Sequence, residues 1–226
     1  MEQKHFNCLI LSILILTTLT TNTIAEPSQK TGETKITKDT TKNTAQKVGS
    51  VLPEQQSDIV TINTDKGIIK IKLFTKEAPI TSNNFLDLVK KGFYNGTVFH
   101  RVVENFVIQG GDPLGDGTGN YIDPENGKPR FIKLETNPNL KFDRPGRLGM
   151  ARTASPNTAS CQFFIALDKL PSLDPGGVDS YGYAVFGQVT DDTFETVKKI
   201  ASEFKPIYPG SDKPSNPVKM KLVASP

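Results

Sequence analysis

Residues 99–111 read FHRVVENFVIQGG, and this stretch decides the fold. Phe99-His100-Arg101-Val102-Val103 is rich in β-branched and aromatic residues, and Glu104-Asn105 is a turn pair. Phe106-Val107-Ile108-Gln109 is β-rich again before two glycines end the run. The pattern predicts a hairpin. Successive side chains of a strand point to opposite faces, so Arg101 and Gln109 project from neighbouring strands onto one surface while Val102 and Ile108 turn inward. That surface carries a cation, an amide and a phenyl ring, with neither a nucleophile nor a metal ligand.

Working outward, Ile59-Val60-Thr61-Ile62 and Ile68–Phe74 flank the polar turn Asn63–Gly67. This is a second hairpin, whose apolar residues partly alternate with Thr and Lys as in a sheet with one wet face. Glu77-Ala78-Pro79 opens a helix: proline suits the first helical position, and Phe85, Leu88 and Val89 follow at i, i+3, i+4 before Gly92. Downstream strands are Leu148–Arg152, Cys161–Leu167, Ala184–Val189 and, after a Pro-rich 205–217 connection, Val218–Val223. Within Cys161–Leu167, Phe163, Ile165 and Leu167 belong to the core, and Gln162, Phe164 and Ala166 to the face shared with Arg101. A second amphipathic helix is expected over Thr193–Phe204, with Phe194, Val197, Ile200, Ala201 and Phe204 on one side. The whole predicts a mainly β protein, a closed eight-stranded antiparallel β-barrel capped by two α-helices.

The chain has 226 residues, 36% hydrophobic and 23% charged, with a net charge of +3. Its lysines and arginines are scattered among 24 acids, so no nucleic-acid footprint is expected. The N-terminus differs in kind. Lys4 and His5 precede the apolar-plus-serine run Leu9–Leu16, and a Thr-rich segment ends at Thr23-Ile24-Ala25. This is the layout of a signal peptide, residues 1–25, cleaved after Ala25; the apolar run is far short of the ~20 residues that span a membrane. Export is therefore expected, to a periplasmic or secreted location. Residues 26–57 are Thr, Lys, Gln, Ser and Asn with mixed charges and no apolar periodicity, which predicts a flexible polar linker ahead of a domain at 58–226. Cys8 would leave with the leader, so Cys161 stands alone and no internal disulfide is expected.

Other motifs resolve against chemistry. In GGDPLGDGTGN (110–120) no Gly-Lys-Ser/Thr follows, and Leu114 stands where a second Asp or Asn cation ligand belongs. Turn formation is the main reading, with an incidental cation site among Asp112, Asp116 and Asp123 as the lesser one. His100 is the single histidine beyond the leader, so neither a zinc site nor a histidine-based triad has partners. Cys161 lacks a neighbouring base.

FHRVVENFVIQGG, LGMARTASPNTASCQFFIAL (148–167) and AVFGQV (184–189) closely resemble, in this order, blocks of the cyclophilin-type peptidyl-prolyl cis-trans isomerases. The resemblance runs from about Asp58 to near the C-terminus. It implies a cyclophilin-like barrel that speeds rotation about X-Pro bonds of exported proteins, without metal or cofactor and as a monomer. Amide rotation is opposed by a barrier of ~18–20 kcal/mol, and no bond is made or broken, so the catalyst needs only to bind the twisted amide better than the planar one. Twisting localises a lone pair on the prolyl nitrogen, and a fixed guanidinium aimed there, Arg101, binds the twisted state selectively.

By the same resemblance Phe106, Val107, Phe164 and Leu173 form an apolar socket for the prolyl ring. Gln109 orients Arg101 and bonds the substrate carbonyl, while Ala151, Arg152 and Gln162 align the substrate backbone. Some positions depart from the family. Tyr183 stands where many members carry His, at the pocket rim, and Val107 replaces the commoner Met. Arg152 replaces a frequent Asn and adds a charge expected to favour acidic residues near the proline. Ser172 falls where some members place Trp, which implies weak or no binding of cyclosporin. A pure binding module for proline-containing peptides is the competing reading; the Arg101, Phe106 and Gln109 set favours the enzyme, because a binder has no need of the guanidinium.

Overall fold

In the computed structural model, which describes residues 58–224, the chain runs β1 (Ile59–Thr64), β2 (Ile68–Leu73), α1 (Pro79–Lys90), β3 (Val98–Val103), β4 (Val107–Asp112) and the short ribbon β5 (Ile122–Asp123) and β6 (Lys128–Pro129). It continues through β7 (Arg147–Met150), β8 (Phe163–Ala166), β9 (Val185–Val189), α2 (Phe194–Ser202) and β10 (Met220–Ala224). The expected leader (1–25) and linker (26–57) lie outside the described residues.

Eight strands pair in the order β10-β1-β2-β9-β7-β8-β4-β3, and every neighbour is antiparallel. The ends of that order meet. A bridge pairs Val98 with Lys219, Met220 N–H donates to Thr97 O at 2.8 Å, and Phe99 N–H donates to Val218 O at 3.0 Å. The sheet is thus a nearly closed eight-stranded barrel with two helices, as the sequence predicts. Its inward rows follow from period two. In β2, Ile69, Ile71 and Leu73 are buried, whereas Ile68, Lys70 and Lys72 are exposed. At the centre Phe163 meets the rings of Phe85 (5.3 Å), Tyr94 (5.6 Å) and Phe99 (6.2 Å) edge-on.

Helix α1 starts on Pro79 and buries Phe85, Leu86, Leu88 and Val89. Its first free amides are satisfied at a distance, since the Glu135 carboxylate accepts from Ile80 N–H (3.1 Å) and Thr81 N–H (2.9 Å). Helix α2 is shorter than expected. Thr193 belongs to a preceding 3-10 turn, and Phe204 lies beyond the last helical turn.

Two features position the site. In the β3–β4 pair the register slips between Phe99 and Arg101, leaving His100 as the extra residue of a bulge. The bulge lets Phe99 and Val102 both enter the core while Arg101 stays on the outer face. The 205–217 connection is a pinned arm: Pro206 pairs with Pro214, Ile207 N–H donates to Lys213 O (3.0 Å), and Asp212 O accepts from Val102 N–H (2.8 Å).

Candidate active site

Cross-strand register brings Arg101 opposite Gln109, Gln109 opposite Phe164 and Phe164 opposite Gly149. One transverse row on the outer sheet face therefore runs from a guanidinium through an amide to a phenyl ring, across β3, β4, β8 and β7. The ring needs the glycine. A Cβ on Gly149 would lie 2.2 Å from Phe164 Cζ and 2.8 Å from Phe142 Cζ. Gly149→Ala is accordingly expected to displace the Phe164 ring and to cost about 1–3 kcal/mol of stability, as overpacking of a filled site does; a urea midpoint together with the Phe164 ring resonances checks both.

Phe164 stacks on Phe142 at 5.5 Å and meets Tyr183 edge-on at 5.7 Å. With them, Val107, Leu170, Leu173, Phe106 and Ala151 form an apolar cluster separate from the barrel core. Val107, Phe164 and Leu173 are buried floor residues, and Phe106, Ala151 and Tyr183 are half-buried at the rim. The structure thus brings together all six apolar candidates from the sequence.

The polar side is wired through a loop. Gln109 Nε2 donates to Gln162 Oε1 (3.0 Å), and Gln162 Nε2 donates to Gly117 O (3.0 Å) and Gly119 O (2.9 Å). That loop is set by Asp112, whose buried carboxylate accepts from the amides of Leu114 (2.8 Å), Asp116 (3.1 Å) and Gly117 (2.5 Å). The acids of 110–120 therefore serve turn formation. Among the described residues no group of three or more His, Cys, Asp or Glu is placed to hold a metal ion.

Arg101 is held by a residue that sequence reasoning missed. Its Nε donates to Asp212 Oδ2 at 2.5 Å, with the two side chains 36% and 50% exposed. Gln109 is turned to Gln162 and does not supply this contact. No local signal marks Asp212, which stands 111 positions away in a stretch that reads as a connection.

The expected role of the Arg152 charge is corrected. Its side chain is 1% exposed and its guanidinium is consumed internally, Nη2 on Asp179 Oδ2 (2.6 Å) and Gly182 O (2.6 Å), Nε on Gly182 O (3.0 Å). It also lies 4.5 Å from the Tyr183 ring. Burial alone would raise the Asp179 carboxyl, but hydrogen bonds from Arg152 and the loop amides hold it below its usual range. A buried cation has to be paired, so Arg152 shapes the rim and offers no field to an acidic substrate.

Burial pushes the Cys161 thiol up to about 12, which leaves it protonated and inert. Burial also depresses His100, against the pull of Asp112, which favours the neutral form of its ring. Two clefts of about 500 and 530 Å³ lie elsewhere, one under Phe74, Arg144 and Arg147 and the other between the end of α2 and residues 214–218.

The family model for cyclophilin-type peptidyl-prolyl cis-trans isomerases matches residues 59–224. The chain belongs to this family. This cyclophilin is 34% identical over 193 residues to the peptidyl-prolyl isomerase CWC27 of Gibberella zeae, covering 76% of the chain and 34% of the relative. It is 36% identical over 162 residues to the spliceosome-associated protein CWC27 homolog of Danio rerio, covering 72% and 32%. The cyclophilin thus spans about a third of the length of these relatives. Among solved structures, a cyclophilin-type isomerase of Cryptosporidium parvum, determined in the presence of the dipeptide Ala-Pro, superposes with a TM-score of 0.64 at 35% identity, covering 74% of this cyclophilin and 98% of that chain. These relatives overturn the expectation of an extracytoplasmic protein: a relative matched across some seven tenths of the chain is named as spliceosome-associated.

Proposed function

We propose that residues 58–226 form a working peptidyl-prolyl cis-trans isomerase, with Arg101 stabilising the twisted amide. The observation that carries this reading is the row Arg101–Gln109–Phe164 beside an apolar cluster, with Arg101 Nε already engaged by Asp212. The prolyl ring would rest on Phe106, Val107, Phe164 and Leu173 between the rims of Ala151 and Tyr183, and the terminal guanidinium nitrogens would meet the prolyl nitrogen as it becomes pyramidal. Planar amides offer that donor no localised lone pair, so the interaction lowers the barrier without tightening the ground state. Gln109 and Gln162 would fix the substrate backbone from the polar side. Since the Arg152 guanidinium is taken up by Asp179, alignment at that end falls to the main chain of residues 151–152.

The spliceosome association named for a relative supports clients among the proline-containing segments of a protein assembly. The test is cis–trans exchange of an Ala-Pro tetrapeptide followed by NMR with the full chain. Acceleration over the uncatalysed exchange of tens to hundreds of seconds is expected. Binding without acceleration would leave only the peptide-binding module.

Weak cyclosporin binding follows from the same reading. Ser172 is exposed on the 3-10 turn Pro171–Leu173 and presents neither the large apolar area nor the N–H of an indole. Inhibition is expected only at micromolar drug in the exchange assay; nanomolar inhibition would contradict it.

A further inference from the structure

We infer that Asp212 is a positioning residue for Arg101, so that the pinned arm 205–217 is part of the catalytic apparatus; this rests on the isomerase reading above. Asp212 grips β3 twice. Its carbonyl accepts from the amide of Val102, the neighbour of Arg101, and its carboxylate accepts from Arg101 Nε at 2.5 Å. The arm is itself fastened, by the Pro206–Pro214 bridge, by Ile207 N–H to Lys213 O (3.0 Å), by Ser211 N–H to Tyr208 O (3.0 Å) and by Ser215 N–H to Lys205 O (2.8 Å). The carboxylate is therefore delivered from a fixed frame and not from a loose loop.

Arg101 needs such a frame. It projects from a bulge and is about one-third exposed, and among the described residues no other hydrogen bond holds its guanidinium. A bond at Nε fixes the plane of the group while leaving the two terminal nitrogens for a substrate. The carboxylate also offsets part of the positive charge, an effect opposed to catalysis. That loss is small, because both partners face solvent and their attraction is screened. Misplacing a catalytic group by about 1 Å costs up to ~10²-fold. Orientation therefore outweighs the lost field.

The experiment measures kcat and KM separately for the Ala-Pro tetrapeptide with the full chain, its Asp212→Ala and Asp212→Asn variants, and Asp212→Ala in an Arg101→Ala background. Asp212→Ala is expected to lower kcat about tenfold with KM within about twofold, while Asp212→Asn, whose side-chain oxygen still accepts from Nε, keeps about half the activity or more. No further loss is expected once Arg101 is absent. An unchanged or raised kcat in Asp212→Ala, or the same loss recurring without Arg101, overturns the inference while the isomerase reading stands. A wild-type chain that fails to accelerate exchange removes that reading and the inference with it.

Discussion

Arg101→Ala is expected to lower kcat/KM for an Ala-Pro tetrapeptide by about 10²–10³-fold, the usual cost of removing one preorganised donor aimed at developing charge. At roughly 1.4 kcal/mol per decade this amounts to about 3–4 kcal/mol of lost transition-state stabilisation. The loss should sit in kcat, because the apolar cluster that would hold the prolyl ring is built from other residues. It should also leave the fold intact. The side chain is 36% exposed, so truncation opens no interior cavity, and the Asp212 carboxylate left behind is half exposed and finds water. Arg101→Lys keeps the charge but loses the planar fork and its Nε, and should recover only part of the rate. Line-shape or exchange NMR on the peptide, with far-UV circular dichroism of each variant, gives both readouts; an unchanged rate would remove Arg101 from the mechanism.

Phe163→Ala is expected to destabilise the protein by about 3–5 kcal/mol. Phe163 is fully buried, lies on β8 between β4 and β7, and meets three other rings edge-on. Its neighbours are themselves buried core residues, and each aromatic pair adds to the area term. Against a typical stability of about 5–15 kcal/mol this is about a fifth of the total or more. Urea unfolding should show a lower midpoint with an unchanged slope. A fall of less than about 1 kcal/mol would mean that the ring is not part of the common core.

The neighbouring pair Phe163 and Phe164 also shows how far sequence reading reaches. Period two alone sends them to opposite faces, and the structure puts Phe163 in the barrel core and Phe164 in the outer apolar cluster. The hairpin, the strand order of its two arms and the proline-started α1 were legible for the same reason: each depends on residues within a few positions of one another. What was not legible depends on distant partners. The bulge at His100 is a property of a strand pair and not of either strand. The Glu135 carboxylate that satisfies α1 lies 54 to 55 positions from the amides it caps. Arg152 reads as a free cation until Asp179 comes round beneath it, and Asp212 carries no mark of its own. The expected export failed for a different reason: an apolar run behind a cation reports composition alone, and relatives matched over some seven tenths of the chain point to another setting.

The seam that joins β3 to the segment entering β10 has a consequence for recognition. Gly96, Thr97 and Phe99 exchange backbone hydrogen bonds with Val218 and Met220, so those main-chain groups are not free to receive an added strand. Along this seam a visiting polypeptide would meet side chains in place of a ladder of peptide groups. Contact of that kind grips one residue firmly and its neighbours loosely, which favours broad clientele and quick departure over tight, sequence-bound capture.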